Sequence, residues 1–266
     1  MINKKFETIK IKKISKDVVL LTLNRKEFSN SFNTKMAEEI YVFFEDMNIN
    51  NYFEARCLVI TGSGDKAFCA GGDLKERLGM EVSTWKKQHL IFEKMIKSII
   101  ECQIPIIGAI NGAAIGGGCE IVAALDFSFA SENANFAQTE VKVGIIPGIG
   151  GTQNLAKCIG LKKAKELILT GRIFSSHEAL EFGLINGIFK KEELMKNVLK
   201  YAEMISSNAP IAIRQAKKAI DKGYNLSISD GMFFEIECYS KTIDTNDRLE
   251  GIKSFNEKRK PEFKGN

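Results

Sequence analysis

Two histidines, one tryptophan and four prolines are all that 266 residues contain of those three types. With only His89 and His177 to draw on, a Ser-His-Asp triad or a multi-histidine metal centre has almost no material, and no metal site is expected. Neither GxxxxGK[ST] nor GxSxG occurs, which removes support for P-loop phosphoryl transfer and for nucleophile-elbow hydrolysis. No window approaches the roughly 18 uninterrupted apolar residues of a membrane span. The start, MINKKFETIKIKKISKDVVL, carries positive charge but no apolar stretch leading to a small-residue cleavage site. A cytoplasmic chain, mature as written, is the expectation. The six cysteines include no CxxC pair, so free and mostly buried thiols are expected.

What is present is an ordinary globular composition, 44% hydrophobic and 27% charged, with a net charge of +5. That balance suits an anionic small ligand and gives little reason to expect nucleic acid. Residues 6 to 23 hold two β-like runs, FETIKIKKI and VVLLTL, split by the turn-prone Ser15-Lys16-Asp17, which predicts a hairpin. Met36, Ile40, Phe43, Phe44 and Met47 recur at helical spacing behind Asn33 or Thr34 as cap. Cys57 to Thr61 then reads as a buried strand entering a glycine-rich loop, with a helix from about Asp73. A second unit repeats that grammar: a helix from Thr84 to Glu101, a strand from Ile106 to Ile110, a glycine turn and a helix from Cys119 to Leu125. Asp126 to Ala130 is strand-like, and Ser175 to Glu178 fits a capping box with His177 inside it. Beyond about residue 190 only helical patterns remain. The spacing therefore predicts an α/β layered core over residues 1–190 and a helical region over 191–266.

Two glycine-rich helix starts carry the chemistry, Ala70-Gly71-Gly72-Asp73 and Gly116-Gly117-Gly118-Cys119-Glu120. If they converge, one amide from each makes a two-donor site for negative charge on a carbonyl oxygen. If they do not, the small residues merely allow tight helix packing, and spacing leaves both readings open. Glu120 and Glu140 form an acid and base pair only if they meet, and Glu120 in a first helical turn also fits a plain cap. Cys119 reads as a small buried helix residue rather than a nucleophile, having no histidine near it in sequence. Gly62 to Ala67 matches a relaxed dinucleotide fingerprint but opens no helix. Trp85, Phe43, Phe44, Phe233 and Phe234 read as core or interface.

Taken together, Asn24-Arg25, KAFCAGGDLKE, IPIIGAINGAAIGGGCEIVAALD, FAQTEVKVGIIPGIGGTQNL, LTGRIFSSHEALEFGLIN and FNEKRKPEF resemble the crotonase, or enoyl-CoA hydratase/isomerase, superfamily almost end to end. The resemblance implies an α/β, crotonase-like spiral of ββα turns with a C-terminal helical oligomerisation region, built into homotrimers or homohexamers. It implies a short-chain enoyl-CoA hydratase acting on an acyl-CoA thioester, without a cofactor since coenzyme A is part of the substrate. By the same resemblance Gly72 and Gly117 supply the oxyanion amides and Glu120 and Glu140 the catalytic carboxylates. Ala70, Asp73, Leu74 and Gly148 fall on substrate-binding positions, Gly148 helping to hold the water. The sequence departs from the family pattern at Lys26, at Asn30-Ser31-Phe32, at Thr139 and at Gly72, where alanine is common. An isomerase, or a non-catalytic CoA- or RNA-binding scaffold, are the rival readings.

Overall fold

The computed structural model describes residues 5–50 and 54–266; the stretch read above for a leader begins in the four residues outside that range. The expected hairpin forms, β1 (Ile9–Lys13) and β2 (Val18–Leu23) pairing antiparallel with Ile9 opposite Leu23. In α1 (Thr34–Asn50) the cap is Asn33, whose Oδ1 accepts the Met36 amide at 3.0 Å.

From here the chain repeats one circuit. β3 (Cys57–Gly62) joins a large sheet parallel to β2, β4 (Ala67–Cys69) begins a second sheet, and α2 (Leu74–Arg77) and α3 (Val82–Ile100) return the chain. β5 (Ile106–Ile110), β6 (Ala113–Ile115) and α4 (Gly117–Ala124) make the same circuit one strand further along. β7 (Phe127–Ser131), β8 (Asn135–Ala137), a 3-10 turn at Glu140–Val143, α5 (Gly151–Ile159) and α6 (Leu161–Thr170) make it again. β9 (Phe174–Ser175), α7 (Ser176–Phe182) and β10 (Gly187–Phe189) close the two sheets, whose orders are β4-β6-β8-β9 and β1-β2-β3-β5-β7-β10. This is the spiral of ββα turns. The capping box at Ser175 and Glu178 is complete in both directions.

The large sheet is covered on both faces, which is why its strands read as unbroken apolar runs. Leu58 and Ile60 face the main core, with Val19, Leu21, Ile106 and Ile110. Their neighbours Cys57 and Val59 face the other way, with Val18, Ile107 and Ala109, against Leu194, Val198 and Ala202 of α8 (Lys191–Ser206). Only helices follow: α9 (Pro210–Gly223), α10 (Ile228–Ile243) and α11 (Asn246–Asn256). Among them α9 has no buried residue and α10 has only Cys238. The fingerprint-like Gly62 sits where β3 crosses β4; a Cβ there would lie 2.5 Å from the Phe68 carbonyl oxygen.

Asn30 clamps the first connection onto that crossing. It is fully buried in the left-handed region, φ 51° at Ser29 and 54° at Asn30 making a tight loop. Its amide group donates to the Ser63 and Ala67 carbonyls at 2.9 Å each, and its Oδ1 accepts the Arg25 amide and the Ser63 hydroxyl at 3.0 Å each. Asn30→Ala strands these groups and is expected to lower the unfolding free energy by about 2 kcal/mol, read as a lower urea midpoint at unchanged slope.

Candidate active site

The two glycine loops meet. Phe32 forms a single parallel bridge with Gly72: its amide donates to the Gly71 carbonyl at 2.9 Å and its carbonyl accepts the Asp73 amide at 3.0 Å. In a parallel ladder of this register the intervening Gly72 amide points away from the partner strand. Among the described residues it has no acceptor. Gly117 opens α4, so its amide has no intrahelical acceptor either. A Cβ on Gly117 would lie 3.6 Å from the Gly71 Cα, and both loops line one cavity of about 950 Å³. The packing reading is also true one residue on, since a Cβ on Gly118 would fall 2.0 Å from the Cys69 carbonyl oxygen.

Glu120 and Glu140 reach the same cavity. The carboxylate of Glu120 does not cap its own helix. Its Oε1 accepts the amides of Ile149 at 2.9 Å and Gly151 at 2.7 Å, so it holds the start of α5 instead. Glu140 begins the 3-10 turn after β8, and its Oε1 lies 2.9 Å from where a Cβ on Gly116 would be. Gly116 has φ 54° and ψ −123°, a conformation that an L-residue rarely adopts, so the sequence needs glycine there twice over. Among the described residues the Oε2 of Glu140 is buried without a hydrogen-bond partner. Loss of hydration raises both carboxyls above their usual range. For Glu120 the amides of Gly151, Ile149 and Gly148 act against that rise. Glu140 is pushed up to about 7, first by burial, with the negative charge of Glu120 adding to it against its own backbone amide.

Of the other sequence-selected residues, Ala70, Leu74 and Gly148 line the cavity. Asp73 does not. Its carboxylate caps α2 through the Lys75 and Glu76 amides, at 3.1 and 3.3 Å, and pairs with Arg25 at 3.0 Å. It therefore steadies the Gly72 loop from behind rather than lining the substrate space. Cys119 is fully buried and burial pushes its thiol up, as a small core residue requires. Sequence reading missed the amides of Ile149 and Gly151, which only the pairing with Glu120 singles out. It also missed Phe32 and Arg77 as lining residues and assigned Trp85 to core or interface. Phe32 meets Phe92 edge-on at 4.9 Å, and His89 lies beside Gly148 with its Nε2 3.4 Å from Glu93.

An α/β spiral with two unspent loop amides and two buried carboxylates on one cavity defines the class of protein. The family model described as enoyl-CoA hydratase/isomerase matches residues 13–266, and the chain belongs to that family. It is 38% identical over 246 residues to a short-chain-enoyl-CoA hydratase of Clostridium acetobutylicum, covering 92% of this chain and 93% of that one. It is 36% identical over 258 residues to a crotonyl-CoA hydratase of Syntrophomonas wolfei, covering 97% and 98%. The crystal structure of an enoyl-CoA hydratase from Bacillus anthracis superposes with a TM-score of 0.95 at 40% identity, over 98% of this chain and 100% of that one.

Two outcomes are expected from this geometry. A Cβ on Gly72 would meet only Phe92 at 3.8 Å and Arg77 at 3.9 Å, ordinary contacts, and the backbone there is not left-handed. Gly72→Ala should therefore raise stability by about 0.4–1 kcal/mol in urea unfolding. Glu140, raised from 4.5 to about 7 in the folded chain, contributes stability that is full below the lower value and is lost as pH rises through the upper one. Glu140→Gln should flatten the fall in unfolding free energy between about pH 5 and about pH 8, measured by denaturant titration at each.

Proposed function

We propose that this chain is a lyase, a short-chain enoyl-CoA hydratase that adds water to a trans-2-enoyl-CoA to give the 3-hydroxyacyl-CoA. The observation that carries the reading is the pair of carboxyls in unlike environments on a cavity that also holds two free amides. The thioester oxygen accepts from the Gly72 and Gly117 amides, which draw electron density from the double bond and stabilise the enolate as it forms. Glu120, whose charged form the Ile149 and Gly151 amides favour, takes a proton from water as the oxygen bonds to the β-carbon. Glu140, which holds a proton near neutral pH, gives it to the α-carbon. Solvent then returns the proton from Glu120 to Glu140. The two carboxyls titrate as a coupled pair, so rate profiles report the pair. The hydratases among the relatives support the reaction class.

A homotrimer or homohexamer belongs to the same proposal. Its support is the apolar surface left open on the C-terminal helices, at Ile228, Phe233 and Ile236 of α10 and Phe255 of α11. Sedimentation of the full chain measures it, and a monomer at micromolar concentration would refute it. A cytoplasmic location is also part of the proposal, supported by six free thiols. Among the described residues no helix is long and apolar enough to cross a membrane.

The test is the loss of enone absorbance when crotonyl-CoA is mixed with the protein. Glu120→Gln and Glu140→Gln are each expected to lower kcat about 10³-fold with a much smaller change in KM. Absent hydration together with double-bond migration in a 3-enoyl-CoA would replace this reading with an isomerase.

A further inference from the structure

The cavity contains a cation that the hydration chemistry does not use. Arg77 ends α2 on the cavity wall, with its guanidinium carbon 4.1 Å from the ring centre of Trp85 and 5.0 Å from that of Phe92. Its Nε donates to Gln88 Oε1 at 2.8 Å, which fixes the plane of the group. Gln88 is itself held, its Nε2 donating at 2.8 Å to Thr34 Oγ1 and to Glu76 Oε2. Glu76, the carboxylate that acts on Arg77 electrostatically, is itself hydrogen-bonded, accepting from Gln88 and from the Thr34 amide. Among the described residues the two terminal nitrogens of Arg77 have neither a hydrogen-bond acceptor nor an ion-pair partner. Nη1 and Cζ lie 3.9 Å from where a Cβ on Gly72 would be, beside the amide assigned above to the thioester oxygen.

An arginine is charged at any working pH, and its two terminal nitrogens form a fork that matches a carboxylate with two parallel hydrogen bonds. Here that fork is oriented in advance by Gln88 and two aromatic rings, within a few bonds of where an acyl chain must run. We infer that Arg77 is a specificity-determining residue and that the acyl chain it selects ends in a carboxylate, making the substrate a short 2-enedioic acid monothioester of coenzyme A. The inference rests on the enoyl-CoA reading of the site. Partial burial of Arg77 supports it, since loss of hydration disfavours the unpaired cation and an arriving anion relieves that cost. Lys86 on the same wall adds positive charge, while the carboxylate of Glu93 lies 3.4 Å from His89 Nε2. A guanidinium serving only to prop α3 would favour no acyl chain over another, and one serving a coenzyme A phosphate would act equally on every thioester.

Calorimetry with two saturated, unreactive thioesters, glutaryl-CoA and butyryl-CoA, separates these roles. The wild-type protein is expected to bind glutaryl-CoA about 10- to 100-fold more tightly. Arg77→Met should collapse that ratio towards one, and Arg77→Lys, which keeps the charge without the fork, should leave an intermediate ratio. In turnover, Arg77→Met should raise KM for glutaconyl-CoA far more than for crotonyl-CoA. Equal wild-type affinity for the two thioesters overturns the inference without any variant, and so does an equal loss for both in either variant. If Arg77→Met does not fold, the wild-type ratio and Arg77→Lys decide. A failure of the hydratase reading is visible separately, as absent hydration of both crotonyl-CoA and glutaconyl-CoA by the wild-type protein with the binding preference still present.

Discussion

Among the described residues the Gly72 amide has no acceptor because both of its neighbours are committed. Gly71 and Asp73 use their carbonyl and amide on Phe32, and a parallel bridge of that register leaves the residue between them facing the other way. Everything in the site is arranged around this one-residue pairing. Phe32 is carried by the segment that Asn30 clamps to the β3–β4 crossing, Asp73 is pinned by Arg25, and the ring of Phe32 occupies the space a side chain on Gly117 would need. The second amide, on Gly117, comes from the next circuit of the spiral, so the distance between the donors is set by the spacing of adjacent turns.

The same neighbouring-turn logic separates the two carboxyls. Glu120 extends from α4 to the start of α5, where two backbone amides compensate its negative charge. Glu140 lies against the bare Cα of Gly116 with one oxygen unpartnered. Two chemically identical side chains thus meet unequal costs of ionisation, and burial raises the less supported one to about 7. In the proposed reaction this inequality is what lets one accept a proton while the other gives one. A third charge, on Arg77, stands on the opposite kind of wall, aromatic and fixed by Gln88.

The departures from the family pattern acquire a physical sense in this arrangement. Asn30-Ser31-Phe32 makes the left-handed loop and the bridge, so it builds the back of the Gly72 loop. Glycine at position 72 keeps the donor amide, yet the space around it accepts a methyl group, so nothing in the packing requires glycine there.

Much of this was legible in the order of residues. Periodicity located the hairpin, α1, β3, α3, β5 and the C-terminal helices, because a strand buried on both faces or a long amphipathic helix leaves a pattern over many residues. The three-residue strands β4, β6 and β8 left none, since three residues span too little of any period, and with them the second sheet went unread. Motif and resemblance together named Gly72, Gly117, Glu120 and Glu140. Spacing alone did not say whether they meet, because residues 72 and 117, and 120 and 140, become neighbours only when successive turns stack. For the same reason Asp73 looked like a lining residue until its pairing with Arg25 drew it behind the loop, and Arg77 carried no signal until α2 turned it onto the cavity. Which elements exist is a matter of local pattern; which side chains share a space is a matter of how those elements pack across the chain.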